Sequence, residues 1–274
     1  MTLAREQPAT ESETRTAAES GSAASNVRLW EVDALRGVAI ILMVFYHFMY
    51  DLDQFGGYEI GANTGNWQRF ANGIAFMFVF LVGVSLVLSY TRATARLTDE
   101  WSLAQKYMLR GVRIFGYGML ITVGVWLFAP SGTIIFGILH LIGISIILAY
   151  PFLRWPRVAL VTGVGLIALG WFMGYPRVDF PWLVWLGFRP EGIGSMLDYR
   201  PLIPWLGPAL LGIYAGYWLY RNGERQFRLP DLGHLPGIRG LSLTGRYSLA
   251  IYLIHQPVIL VALELTGVID LGLF

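Results

Sequence analysis

Residues 28–53 read RLWEVDALRGVAIILMVFYHFMYDLD, and the rest of the chain is best read outward from them. The stretch opens with Arg28, Glu31, Asp33 and Arg36, then runs without a formal charge from Gly37 to Tyr50. His47 lies inside that run and Asp51 follows it by one helical turn. A helix places i and i+4 on one face, so His47 and Asp51 are expected to hydrogen-bond. The run is too apolar for a surface helix. It reads as a membrane helix with a charged entrance, an embedded imidazole and a carboxylate at its exit. An ionisable side chain inside such a span is a functional-site hypothesis by default.

The whole chain fits that reading. Its 274 residues are 55% hydrophobic and 14% charged, with mean hydropathy +0.54. Soluble domains carry about 25% charged residues, so an ordinary soluble domain is excluded. The apolar runs are long and continuous, which favours helices over alternating barrel strands. Cysteine is absent, which removes disulfides, thiolate metal sites and a cysteine acyl-enzyme. Lys106 is the only lysine, leaving little room for Schiff-base chemistry. The fold class expected is an all-α polytopic membrane protein, with about seven transmembrane helices in one bundle. Residues 28–274 form that domain. Residues 1–27, polar and without an aromatic side chain, form a tail that cannot bury a core and is expected to be disordered. The tail lacks the apolar segment of a signal peptide.

The spans are expected near 37–50, 72–90, 111–129, 133–153, 158–174, 201–220 and 246–265, with a tight turn at APSGT, residues 129–133. Gly212 and Gly216 form a G-x-x-x-G that permits close helix approach. Basic residues gather before the first span and at 91–113, 154–157 and 221–239. The positive-inside rule makes these cytoplasmic and turns loops 51–71 and 175–200 outward. In 175–200, Arg177, Arg189 and Arg200 are offset by Asp179, Glu191 and Asp198. The amino terminus is then cytoplasmic and the carboxyl terminus extracytoplasmic, in a multi-pass protein of the cell (inner) membrane.

Depth follows at 1.5 Å per residue. His47 lies ~6 Å below Asp51, His140 ~10 Å below the outer end of its span, and His255 ~14 Å from Arg246. Three imidazoles in one layer of so uncharged a chain point to a polar cavity rather than to three unrelated packing residues. Pro257 follows His255 and frees a backbone carbonyl one turn earlier, as in helices that line cavities. His234 falls in a cytoplasmic loop and reads as surface. Arg110 and Arg113 share a helix face, while Arg36 and Arg246 start their spans on the cytoplasmic side. Arginine pairs well with phosphate, although headgroup contact and positive-inside topology explain any single one better. Trp182, Trp185, Tyr199 and Trp205 suit either sugar stacking or an interfacial belt. The histidines have no recognisable ligand spacing, so no metal is expected.

Taken in order, the motifs resemble a known family. D-A-L-R-G at 33–37 and M-V-F-Y-H at 43–47 are similar to the first core helix of the heparan-alpha-glucosaminide N-acetyltransferase catalytic-domain family. F-V-F-L-V-G-V-S at 78–85, G-I-L-H-L-I-G-I-S at 137–145 and D-Y-R-P-L-I-P-W-L-G at 198–207 resemble it as well. G-R-Y-S-L-A-I-Y-L-I-H-Q-P at 245–257 resembles both that family and the wider acyltransferase-3 superfamily. The resemblance covers about 28–265. It implies acetyl transfer from cytoplasmic acetyl-CoA, the donor substrate, to an amino or hydroxyl group of an extracytoplasmic glycan or amino sugar. Animal members place a catalytic histidine in the loop after the first core helix. Here that loop, EIGANTGNWQRFANG at 59–73, has none, and His47 matches the membrane histidine of the short bacterial-type members.

The resemblance and the residues together give one mechanism. His47 is the base, and Asp51 fixes its tautomer. His140 and His255 orient the acceptor or polarise the thioester carbonyl. Arg36, Arg110, Arg113 and Arg246 hold the CoA phosphates. The bilayer, the donor and the glycan are the expected partners; nucleic acid is not, and a homodimer is left open. The rival reading is a proton-coupled transporter or flippase that uses the histidines as a relay. Inverted repeats would support it, and the seven spans show none.

Overall fold

In a computed structural model of the chain, residues 29–128, 134–191 and 196–270 are described. The expected tail at 1–27 and the APSGT turn lie outside these residues. Among the described residues eight α-helices follow in order: α1 Trp30–Phe55, α2 Gly65–Thr94, α3 Glu100–Phe128, α4 Ile138–Ala149, α5 Pro156–Met173, α6 Leu202–Leu219, α7 Pro236–Arg246 and α8 Ser248–Leu265. Strand structure among the described residues amounts to Arg177–Val178 paired parallel with Arg189–Pro190. All but α4 and α7 are long and apolar enough to cross a membrane. The protein is an all-α polytopic membrane protein.

The first three helices begin earlier than hydropathy alone suggests. The first is expected to start near 37 but starts at Trp30, taking Glu31, Asp33 and Arg36 into the helix. Glu31 and Asp33 are buried there because each has a cation. Arg225 grips Glu31 with two hydrogen bonds, at 2.9 and 2.8 Å. Arg36 bonds Asp33 at 2.9 Å, and Arg246 approaches Asp33 at 3.5 Å. Arg36 also bonds Ser85 across to α2, so it is a bridge between helices rather than a snorkelling anchor.

The G-x-x-x-G of α6 serves packing inside the chain. A Cβ on Gly212 would stand 2.0 Å from the carbonyl oxygen of Phe80, and one on Gly83 1.9 Å from that of Ala209. Two glycines facing each other thus set the α2–α6 crossing. The last basic loop is partly helical. α7 lies across the start of α1, with Ser242 and Gly245 buried and Leu243 exposed. This is the amphipathic pattern of an interfacial helix.

The fourth expected span, 133–153, is the main correction. α4 has 12 residues, ~18 Å against a hydrocarbon core of ~30 Å. It runs back along α3, with Thr122 bonded to the Ile134 carbonyl and Tyr107 stacked on Tyr150 at 5.3 Å. The chain before it descends into the bundle without helix. That is stable because protein groups satisfy its backbone: the Gly137 N–H donates to His140 Nδ1, the Ile138 N–H to Asp198, and the Phe136 carbonyl accepts from the Arg200 N–H.

Candidate active site

α1 and α8 lie side by side and bring two histidines together. The rings of His47 and His255 are 4.8 Å apart, edge to face. Each Nδ1 sits on a backbone carbonyl of its own helix: His47 on Met43 at 2.9 Å, His255 on Tyr252 at 2.7 Å. A carbonyl oxygen only accepts, so both Nδ1 atoms carry a proton, and in the neutral form of each ring the lone pair is on Nε2. When neutral, the two imidazoles therefore have the same tautomer.

The expected His47–Asp51 hydrogen bond is not formed. Asp51 is fully buried and takes its bond from Gln256 Nε2 of α8 at 2.7 Å. Sharing a helix face was correct, but the neighbouring helix supplied a closer partner, and the Met43 carbonyl sets the tautomer that Asp51 was expected to set. Asp51 Oδ2, Gln256 Oε1 and His255 Nε2 are buried without a hydrogen-bond partner.

His140 is not in ring contact with this pair. It packs edge-on against Phe115 at 5.1 Å and beside Phe136 at 5.7 Å, and a Cβ on Gly118 would touch it. Its Nδ1 accepts from Gly137, so its proton is on Nε2, the opposite tautomer to the other two. That makes His140 a donor through Nε2 and a cap for α4.

Sequence reasoning missed the groups that approach the histidines from the loop before α6. Asp198 Oδ2 accepts from the Tyr252 hydroxyl at 3.2 Å as well as from Ile138, and Asp198 holds a left-handed backbone at φ +49°. Non-glycine residues rarely adopt that conformation outside constrained sites. Arg200 bonds Asn72 at 2.9 Å and stacks over Trp205 at 4.7 Å. Tyr252 in turn packs on His255, its ring centroid 5.5 Å away. The stretch 198–207 already stood out as a motif; its one carboxylate entering a membrane helix was the available signal. Tyr199, expected among sugar-stacking aromatics, donates instead to the Val184 carbonyl at 2.6 Å. Burial pushes its phenol up to about 12, and Arg189 stacks on it and on Tyr175, so it staples the loop.

At the other end of the bundle, a cavity of about 500 Å³ opens between α2 and α3. Ser89, Arg92, Arg96 and Lys106 line it, with no carboxylate. Lys106, Arg110 and Arg113 follow at i, i+4 and i+7, one stripe of α3. Arg36 and Arg246 lie elsewhere, engaged with Asp33.

A helical bundle of this kind, with paired imidazoles at one end and a cationic cavity at the other, is a membrane protein built around an embedded polar site. The family model described as heparan-alpha-glucosaminide N-acetyltransferase, catalytic, matches residues 28–257, and the chain belongs to that family. Membership makes it a membrane-embedded acetyltransferase by class. No curated protein and no solved structure matches it.

Proposed function

We propose that the protein transfers acetyl from acetyl-CoA, bound at the cytoplasmic end, to an amino or hydroxyl group of a sugar or glycan on the far side, with His47 as base. The observation that carries this reading is the pair of Nδ1–carbonyl bonds. A nucleophile must lose a proton to attack a thioester, and an imidazole held with its Nε2 lone pair free is ready to take it. His47 Nε2 accepts that proton. The Met43 carbonyl, which receives the Nδ1 proton, steadies the imidazolium that forms. His255 presents a second lone pair and so does not polarise the thioester carbonyl. An Nε2–H donor suits that role, and His140 carries one.

The cationic cavity supports a cytoplasmic donor. Guanidinium and ammonium groups without a competing carboxylate suit the phosphates of CoA. On this reading Arg92, Arg96 and Lys106 hold the nucleotide with Arg110 and Arg113, while Arg36 and Arg246 secure α1 and α7. Ser89 and Phe70, which packs beside Tyr46, are 19 residues apart on α2. That separation is ~28 Å. The donor's arm therefore enters the bundle lengthwise to meet the histidines.

The test uses purified full-length protein in lipid nanodiscs, with acetyl-CoA and a panel of amino sugars and glycans. Transfer is expected to rise with pH as the His47 imidazole loses its Nε2 proton. His47→Ala is expected to abolish transfer and leave acetyl-CoA binding within twofold. Substantial transfer by His47→Ala, with its loss in His255→Ala, would move the base to His255.

A further inference from the structure

The atoms left without partners between α1 and α8 are all acceptors: Asp51 Oδ2, Gln256 Oε1 and His255 Nε2. In the neutral ring His47 Nε2 is an acceptor as well, although it is not one of these buried, partnerless atoms. Asp51 is 0% exposed, and its Oδ1 accepts from the amide of Gln256. The Asp51–Gln256 pair lies one helical turn, ~6 Å, outward of His47. Buried acceptors without donors cost free energy unless a group rich in N–H or O–H joins them. A hydroxyl brings one such hydrogen and no charge. A primary ammonium brings three and a positive charge that matches the carboxylate.

We propose that Asp51 and Gln256 form the seat for the primary ammonium of the acceptor and thereby select amines over hydroxyls, a role that rests on the acetyltransferase reading above. The seat lies one turn along α1 from His47 and directly beside His255 on α8, and either imidazole in its neutral form can take a proton. Proton counting explains why two are useful. An ammonium must lose two protons to become an amide nitrogen. The nitrogen–acetyl carbon bond forms and the carbon–sulfur bond breaks. One proton leaves on the thiol of CoA, and the second leaves to solvent. His47 Nε2 takes the first proton from the seated ammonium, and His255 Nε2 is placed to take the other.

The experiment compares glucosamine with glucose as acceptors, and measures glucosamine binding separately in the absence of donor. Wild type is expected to acetylate glucosamine and to leave glucose essentially unmodified. Asp51→Asn, which keeps shape and removes charge, is expected to raise the KM for glucosamine tenfold or more, with kcat and acetyl-CoA binding little changed. Gln256→Leu is expected to shift KM in the same direction. Glucosamine binding without donor is expected to weaken tenfold in Asp51→Asn. An unchanged KM and unchanged glucosamine binding in Asp51→Asn would overturn the seat and make Asp51 a protonated packing residue. Equal loss with every acceptor would overturn it as well. If wild type transfers acetyl to nothing, the acetyltransferase reading fails; the donor-free binding comparison still decides the seat.

Discussion

Removing the Glu31–Arg225 pair tests how α1 is anchored. Hydropathy alone leaves the charges before Gly37 outside the helix, at the membrane surface. The structure instead buries Glu31, its side chain 8% exposed, under a two-pronged grip from Arg225, which is 22% exposed. Breaking a fully buried pair by deleting one partner costs about 3–5 kcal/mol. Arg225 keeps partial access to water and a second bond to the Leu229 carbonyl at 3.3 Å, so the cost falls below that range. We expect about 2 kcal/mol for Glu31→Gln, near the value of one hydrogen bond to a charged group. The Tyr220 phenol, pushed up by burial and by Glu31, is expected to relax when the carboxylate is neutralised. The assay is denaturant unfolding of the purified protein in mild detergent, run as a double-mutant cycle with Arg225→Gln. A coupling energy near 1–2 kcal/mol is expected for a pair in contact. Coupling below about 0.5 kcal/mol, the range of exposed pairs, would refute the buried anchor and restore a surface position for Glu31.

Two further outcomes follow from the ends of the helices. Cysteines introduced at Thr98 and Trp182 are expected to label from opposite sides of sealed vesicles, Thr98 from the cytoplasmic side; labelling of both from one side would reverse the topology. Asp99 accepts from Ser102 N–H and Oγ–H, both at 2.8 Å, and these bonds hold its carboxyl below the ordinary value. Its contribution to stability is full above the unfolded carboxylate pKa, ~4, and fades as pH falls through the lower folded value. Asp99→Ala should therefore lower Tm more at pH 7 than at pH 3, and an equal loss at both would rule out the charged cap.

Much of the fold was legible because the bilayer constrains it so strongly. Continuous apolar runs admit only helices, and the positions of the long spans followed directly. The G-x-x-x-G at Gly212 was equally readable, although its partner was not. The facing glycine, Gly83, lies far away in sequence and carries no matching motif of its own. α4 was misread for a related reason. Hydropathy over 133–153 measures how apolar the segment is and is blind to whether its backbone forms helix. The non-helical descent at 134–137 depends on Asp198 and Arg200, which arrive from another loop to satisfy it.

The site divides along the same line. His47 and His255 were both visible as embedded imidazoles at similar depth, and the structure places their rings in contact. Their tautomers were not visible, because each depends on which carbonyl of its own helix lies under Nδ1. Asp51 shows the limit most clearly. Spacing i to i+4 on one helix makes His47 an available partner, but availability is not a bond. Gln256 reaches Asp51 only because α8 runs beside α1, and periodicity within either helix cannot report that. What the spacing did establish is that Asp51 and His47 share a face. In a bundle, a shared face is lined by whatever helix packs there, so the carboxylate bonds Gln256 of α8 and the imidazole meets His255 of α8 without the two bonding each other. That arrangement separates two jobs that a direct bond would have merged. The Met43 carbonyl sets the proton on His47 Nδ1, and Asp51 Oδ2 is left without a hydrogen-bond partner, the oxygen that the proposed ammonium seat uses.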